Sequence, residues 1–431
     1  MSELRRELGK WDLTAIGVNQ VIGGSVFALA APLALNTGSW SPWLVAGVAV
    51  ATLLIALSFA EVASRFEGTG GSYLYTRAAF GRFPAFEVGW MMWFTRAASW
   101  ASVINVLVDS LGRYWPAVLG PVARPALMTA IIGMICGINI RGIKQSSLVV
   151  NVLTVAKLLP LLIFSVVGIL YVDWAAFATP AAVTPTQLSA ASLLLIFAFG
   201  GYEVVPVMGG ETKDPRRMIP FALIMTIVLV AMITIVTQVV AYGTLPGIAT
   251  SRTPLADSAA IFMGAAGAAT ITMGAVFSTS GNNMGQALSG SRSLFALAEQ
   301  GDLPRWFGYV HPAYRTPVTA IIVTSVVSLI LAVTGSFVTM AAASAISRLL
   351  VYVATCASQV RLRSAAFAGK VQPAKFVLPG GPLIPTLAIT ISMMILVFAT
   401  TRQLIAGGLA LAVGAVLFLI ATGGSNASAR S

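Results

Sequence analysis

Charged residues are scarce in this chain, since Asp, Glu, Lys and Arg together make up 9% of its 431 residues. A soluble globular domain carries about 25% charged residues, so the composition argues against a protein that folds in water. Cysteine and histidine are scarcer still, with Cys136 and Cys356 inside apolar stretches and His311 in a polar one. Two separated cysteines predict free thiols rather than a disulfide framework. A membrane-embedded enzyme would need a cluster of such side chains near one membrane face. We therefore expect no catalytic residue, no metal and no cofactor.

Hydrophobic residues, in contrast, make up 57% of the chain. They form runs long enough to cross a bilayer, which takes about 20 residues of helix. The pattern predicts an all-α polytopic membrane protein with about 12 transmembrane helices. The predicted spans, numbered 1 to 12, lie near residues 12–35, 43–64, 84–112, 125–141, 146–171, 187–210, 218–243, 263–297, 317–334, 337–362, 382–401 and 404–423.

The net charge of +12 follows the predicted topology. Nineteen of the 26 Lys and Arg residues lie on the side that holds both termini, and Arg113, Arg124, Arg252 and Arg402 lie on the other. By the positive-inside rule both termini are cytoplasmic. We therefore expect a multi-pass protein of the cell membrane, inner or plasma, and no nucleic-acid partner. The first span is expected to be retained rather than removed as a signal peptide.

Spans 1 and 6 are each interrupted by glycines, in the sequence VIGGSVF at residues 21–27 and FAFGGYE at residues 197–203. Lipid cannot hydrogen-bond an unwound backbone, so such a break persists only where it lines a cavity or binds something. A matched pair of broken helices predicts a carrier with its binding site at the breaks. A channel would instead need a repeated ring of pore-lining residues.

The spacing of the two breaks predicts one transporter domain, residues 1–431, with an internal repeat. Five spans (12–171) are followed by five more (187–362) in inverted orientation, and two terminal helices (382–423) complete the chain.

Ionisable side chains also fall inside spans, among them the cations Arg96, Lys157 and Arg348 and the carboxylate Glu203. Each costs about 2.5–3.5 kcal/mol or more at mid-membrane, so each is expected to be paired or functional. Trp93 and Trp100 share a helical stripe with Arg96, which predicts that Trp100 faces the site. Structural pairing is the preferred interpretation for Arg96 and Arg348, with Glu203 or Asp109 as the partner of Arg348.

Four segments in order resemble the amino acid–polyamine–organocation superfamily of transporters, which has the leucine-transporter fold. The first is IGGSVF at 22–27, similar to the family's I-G-S-G-I-F. The second is GGSYLY at 70–75 with AFG at 79–81. The third is FAFGGYE at 197–203 with GETKDPRRMIP at 210–220. The fourth is SRSLFALAEQGDLP at 291–304, followed by HPAYRTP at 311–317. The chain departs from the family pattern at Gly24-Ser25, where Ser-Gly is usual, and at Gly210, which replaces an acidic residue.

The resemblance implies an amino acid substrate held by the two breaks. Amides of Gly23, Gly24 and Ser25 would bind its carboxylate, and carbonyls of Val21, Phe197 and Gly200 would bind its ammonium group. The Phe197 ring matches the family's aromatic gate. The predicted substrate-binding residues are Val21, Ile22, Gly23, Gly24, Ser25, Phe197, Gly200, Gly201 and Trp100.

The resemblance also implies how transport is coupled. Lys157 matches a lysine whose ammonium takes the place of a sodium ion in sodium-independent members, linking span 5 to spans 1 and 8. Ser278 and Thr279 match the span 8 hydroxyls, and Glu203 matches an acidic residue of proton-linked gating. Snorkelling of Lys157 to an interface and a purely structural Glu203 are the alternatives.

The predicted function is therefore sodium-independent amino acid transport by alternating access, through proton symport or amino acid exchange. A polyamine or amine carrier of the same fold is the alternative, although such a site needs several carboxylates. Whether the protein is a monomer or a homodimer stays open.

Overall fold

The computed structural model describes residues 8–68, 70–141, 147–178, 182–314 and 316–428, with side chains except at 147–156, 211 and 422–428. Helices cover all twelve predicted spans within these ranges. Seven helical segments are long and apolar enough to cross a membrane, and three shorter apolar helices accompany them. The prediction of an all-α, multi-pass membrane protein is thereby confirmed.

The observed helix bounds follow the predicted spans closely, except at the start of span 8. The helices of spans 1 to 6 are Lys10–Val21 with Ser25–Ala28 and Ala30–Thr37, Ser41–Ala63, Arg82–Gly112, Ala123–Arg141, Ser147–Gly168, and Pro185–Ala198 with the 3-10 helix Tyr202–Glu211. Those of spans 7 to 12 are Pro215–Thr244, Pro254–Glu299, Val318–Thr334, Phe337–Leu362, Leu383–Val397 and Thr401–Ser428. A short helix, Ser72–Phe80, connects spans 2 and 3.

Local sequence signals explain several of these boundaries. Thr184 caps span 6, accepting a hydrogen bond from the Gln187 amide, and Pro185 takes the first helical position, where its missing N–H costs nothing. Within Pro254–Glu299 the backbone of Gly264 is non-helical, with φ +65° and ψ −161°. That glycine turns the chain between a preceding helical segment and span 8 proper, which begins where the sequence predicted.

Span 9 shows which solvent surrounds the protein. Its exposed stripe is apolar and follows the helical repeat at Ile322, Val326 and Ile330. Its buried face carries hydroxyl groups, with Thr324 and Ser325 donating to carbonyls one turn back. A helix with its apolar face outward is stable only where lipid covers that face.

Span 3 occupies the centre of the bundle. It packs against spans 8, 9 and 10, and spans 2 and 7 pack against each other beside it. The two breaks meet next to span 3, so the unwound backbone is enclosed by protein. The inverted relation of the two five-span units stays a prediction.

Ion pairs join the helix ends at the predicted cytoplasmic face. Arg363 binds the Glu61 carboxylate with two nitrogens, and Arg82 Nε lies 2.6 Å from Asp302 Oδ1. The Tyr73 hydroxyl donates to Asp302 Oδ2 at 3.0 Å. Burial and the Asp302 charge raise the pKa of Tyr73, so this donor keeps its proton. Both buried carboxylates here are therefore compensated locally.

Candidate substrate site

The break in span 1 leaves backbone groups without helical partners, and side chains of spans 5 and 8 form hydrogen bonds with one of them. The first helical segment ends at Val21 and the next begins at Ser25. The Gly23 amide donates to the Val21 carbonyl at 2.8 Å, which closes a tight turn. The Ile22 carbonyl, released from its helix, accepts from Lys157 Nζ at 3.0 Å and from Ser278 Oγ at 3.3 Å.

Lys157 is tied to this break and is almost completely buried, with 3% exposure. Its ammonium group also donates to the Asn19 carbonyl at 2.7 Å, so two carbonyls of span 1 hold it. No Asp or Glu of the described residues pairs with it. Thr279 does not share this contact, because its hydroxyl donates to Ala275 within span 8 at 2.7 Å. Its methyl group instead lies where a Cβ at Gly24 would stand.

The break in span 6 holds a side chain that the sequence analysis did not place there. Arg348 of span 10 donates from Nη1 to the Phe197 carbonyl at 3.0 Å and to the Ile196 carbonyl at 3.4 Å. A Cβ built on Gly200 would lie 1.3 Å from that nitrogen, so the glycine gives the guanidinium its space. The Phe197 carbonyl, assigned by the resemblance to the substrate's ammonium group, is thus occupied by a protein cation.

Glu203 lies just beyond the break, between two guanidinium groups. Its carboxylate is 3.2 Å from Arg348 Nε and 3.5 Å from Arg96 Nη2, and it accepts from the Gly201 amide at 2.8 Å. Of the two partners proposed for Arg348, Glu203 is the one that forms the ion pair in the structure. The other, Asp109, pairs with Arg124 at 2.7 Å.

A narrow cavity of about 10 Å³, room for about one water molecule, lies between the two breaks. Five predicted binding residues line it: Val21, Gly23, Ser25, Phe197 and Gly200. The Phe197 ring packs edge-on against Phe337 of span 10, with centroids 6.0 Å apart. The broken segments of spans 1 and 6 therefore line the same cavity.

The other four predicted binding residues surround the cavity without lining it. Ile22 turns its carbonyl to Lys157, and Gly24 packs against Thr279. Gly201 lies against the backbone of Gln20. Trp100 is fully buried in an apolar cluster formed by spans 3, 4, 8 and 9.

Sequence reasoning missed a polar wall on spans 3 and 8. Ser99, Asn282, Gln286 and Arg348 line the cavity together with Gln20. Gln286 donates to Asn282 Oδ1 at 3.3 Å and accepts from Arg96 Nη1 at 3.4 Å, so these side chains form one network. Asn282 and Gln286 are amide side chains one helical turn apart inside a predicted span, which was the signal available in the sequence.

A second cavity, also of about 10 Å³, lies on the predicted cytoplasmic side of the first. Glu203, Arg96 and Arg348 line it together with Tyr352. Because Arg348 borders both cavities, the Arg348–Glu203 pair forms part of the wall between them.

Comparison with known proteins agrees with this arrangement. The family model described as amino acid permease matches residues 8–425. An uncharacterized transporter of Mycobacterium tuberculosis is 31% identical over 77% of this chain and 75% of its own length. The branched-chain amino acid permease BcaP of Bacillus subtilis is 28% identical over 91% and 88% of the two chains. The serine/threonine exchanger SteT of the same organism is 26% identical over 95% of each.

The family match covers nearly the whole chain and includes both breaks and the cavity between them. Its members are transporters rather than enzymes, as the sequence predicted. This chain belongs to the amino acid permease family.

Proposed function

We propose that this permease is a sodium-independent secondary transporter that moves amino acids across the cell membrane by alternating access. The observation that carries the proposal is the cavity between two broken helices, lined by backbone and side chains of both breaks. Transport is coupled to protons or proceeds by exchange. A relative named as an exchanger supports the second mode.

The substrate's α-carboxylate binds at the start of the second half of span 1. Ser25 begins that half, where amides lack helical partners and the helix dipole adds partial positive charge. The backbone stays helical through Leu29 up to Thr37, so the dipole is that of about three turns.

The charge distribution along the sequence supports cytoplasmic termini.

Replacing Gly24 with valine should abolish substrate binding. A Cβ there would lie 2.6 Å from Thr279 Cγ2 and 3.3 Å from Val106 Cγ1, so the break must move away from span 8. We expect at least about a tenfold loss of affinity, equivalent to the loss of one charged hydrogen bond. The measurement is thermal stabilisation of the purified protein by a panel of amino acids.

The matched control is Gly47→Val in span 2, where an added Cβ meets no atom within 4 Å. Equal loss in both variants would assign the effect to valine in a helix rather than to the binding site. Decarboxylated amines should stabilise the unaltered protein poorly. Amines that bind as well as their parent amino acids would contradict carboxylate binding at span 1 and favour the amine-carrier alternative.

Glu203→Gln should flatten the pH dependence of uptake. Protonation of Glu203 would release Arg348 and Arg96 from their shared anion, and glutamine imitates that protonated state permanently. The measurement is initial uptake rate across a pH series in proteoliposomes. The control is Glu299→Gln at the exposed end of span 8. An unchanged pH profile in Glu203→Gln would reduce Glu203 to a structural ion-pair partner.

A further inference from the structure

Buried charge in the middle of this protein is unbalanced. Among the described residues six Asp, Glu, Lys and Arg side chains are buried: Glu61, Arg96, Lys157, Glu203, Asp302 and Arg348. Glu61 and Asp302 are compensated at the predicted cytoplasmic face by Arg363 and Arg82. The four central groups are three cations and one carboxylate. Buried charge is costly unless it is compensated, so this region has a deficit of negative charge.

The surplus cation faces the substrate cavity. Arg348 is the charged residue among those lining the cavity, and the polar side chains beside it, on Ser25, Ser99, Asn282 and Gln286, are neutral. Arg96 is connected to the same wall through Gln286. A cationic substrate would add charge of the wrong sign, and a neutral zwitterion would leave the surplus unchanged.

The Arg348 guanidinium has donor capacity left. Its hydrogen bonds go from one nitrogen to two neutral carbonyls, whereas arginine has five N–H donors in a planar fork. Its Nε, 3.2 Å from Glu203, makes no hydrogen bond of proper geometry in the described part of the chain. Arginine binds a carboxylate best in a bidentate pair, and Glu203 does not supply one here.

An acceptor for an ammonium group also lies in this wall. Gln20 lines the cavity, and its side-chain oxygen is buried without a hydrogen-bond partner among the described residues. A buried acceptor of this kind is expected to find a donor in the functional state. The cavity thus combines an ammonium acceptor with one more anion-binding group than a neutral amino acid uses.

We propose that this transporter takes acidic amino acids, which carry a second carboxylate; the inference rests on the proposed amino acid transport and specifies its substrate class. The α-carboxylate binds at the span 1 break, and the side-chain carboxylate binds Arg348 with Ser99 and Gln286 beside it. The ammonium group binds the side-chain oxygen of Gln20 and the Gly200 carbonyl of span 6, since Arg348 already occupies the Phe197 carbonyl. Substrate binding then supplies the negative charge that the protein lacks.

The first test compares acids with their neutral isosteres. Glutamate and glutamine, or aspartate and asparagine, are each added as unlabelled competitors of labelled amino acid uptake into proteoliposomes that contain the full-length protein. We expect each acid to inhibit at about tenfold lower concentration than its amide, as the gain of one charged contact requires. Amides that compete equally well or better would overturn the proposal, while uptake of neutral amino acids would leave the transport function intact. Failure of all amino acids to bind or be transported would instead overturn the transport function itself.

The second test assigns the preference to Arg348. In Arg348→Gln the ratio of glutamate to glutamine affinity should fall at least tenfold. Arg402→Gln, at the exposed start of span 12, should keep the ratio. If Arg348→Gln does not purify as a monodisperse protein, the double variant Arg348→Gln/Glu203→Gln removes the unpaired carboxylate as well. An unchanged ratio in either folded variant would overturn the role of Arg348.

Discussion

Replacing Lys157 with alanine should abolish transport while the protein still inserts and folds. The ammonium group holds the Asn19 and Ile22 carbonyls at 2.7 and 3.0 Å; Asn19 lies in the last helical turn before the break in span 1, and Ile22 lies in the break. A hydrogen bond from a charged group contributes about 1.5–3 kcal/mol, so losing two removes the main link between span 5 and the break. Even one such loss corresponds to at least about a tenfold change in a conformational equilibrium.

The measurement is initial amino acid uptake in proteoliposomes, with sodium present and with sodium replaced by choline. The unaltered protein should transport at full rate in choline if Lys157 has its proposed role of supplying the positive charge that a sodium ion would bring. Lys157→Arg should be a poor substitute, since the guanidinium fork is larger than an ammonium group and does not release its proton. Lys370→Ala, in an exposed loop, is the control. A strict sodium requirement, or normal uptake by Lys157→Ala, would contradict this role.

The sequence was sufficient to place the helices because the bilayer strongly constrains the secondary structure that crosses it. Apolar runs of spanning length have few alternatives to helix in lipid, so all twelve spans were located from hydropathy. What hydropathy missed was the helical segment from Pro254 to the turn at Gly264. That segment precedes the apolar run, and its helix does not depend on crossing the membrane.

The site was only partly accessible from the sequence, for a different reason. Glycine pairs at 23–24 and 200–201 marked the breaks, because unwound backbone at membrane depth needs residues with few steric limits. The partner of Arg348 could not be chosen, since Glu203 and Asp109 are both in spans and only packing decides which one span 10 faces. The contact between Arg348 and the Phe197 carbonyl is likewise tertiary, and it changes the charge of the cavity.

The contact between the two breaks themselves predicts a second large effect, at Gly201. Its φ of +127° is in a region that residues with a side chain rarely adopt. A Cβ there would also lie 2.7 Å from the Gln20 carbonyl oxygen and 3.0 Å from the Val21 nitrogen. These are backbone atoms, which no rotamer change can move away. Gly201→Ala must therefore either strain span 6 or push the two broken helices apart.

We expect Gly201→Ala to lose uptake and to unfold at lower temperature. Backbone strain of this kind costs about 1–3 kcal/mol, and overpacking adds about 1–3 kcal/mol more. The control is Gly264→Ala, which has φ +65° but no atom within 4 Å of an added Cβ. It carries the strain without the overlap, so its melting temperature should fall while its uptake per folded molecule stays near that of the unaltered protein. Equal loss of uptake in both variants would assign the effect to backbone strain alone. Normal uptake by Gly201→Ala would mean that transport does not depend on close approach of the two breaks.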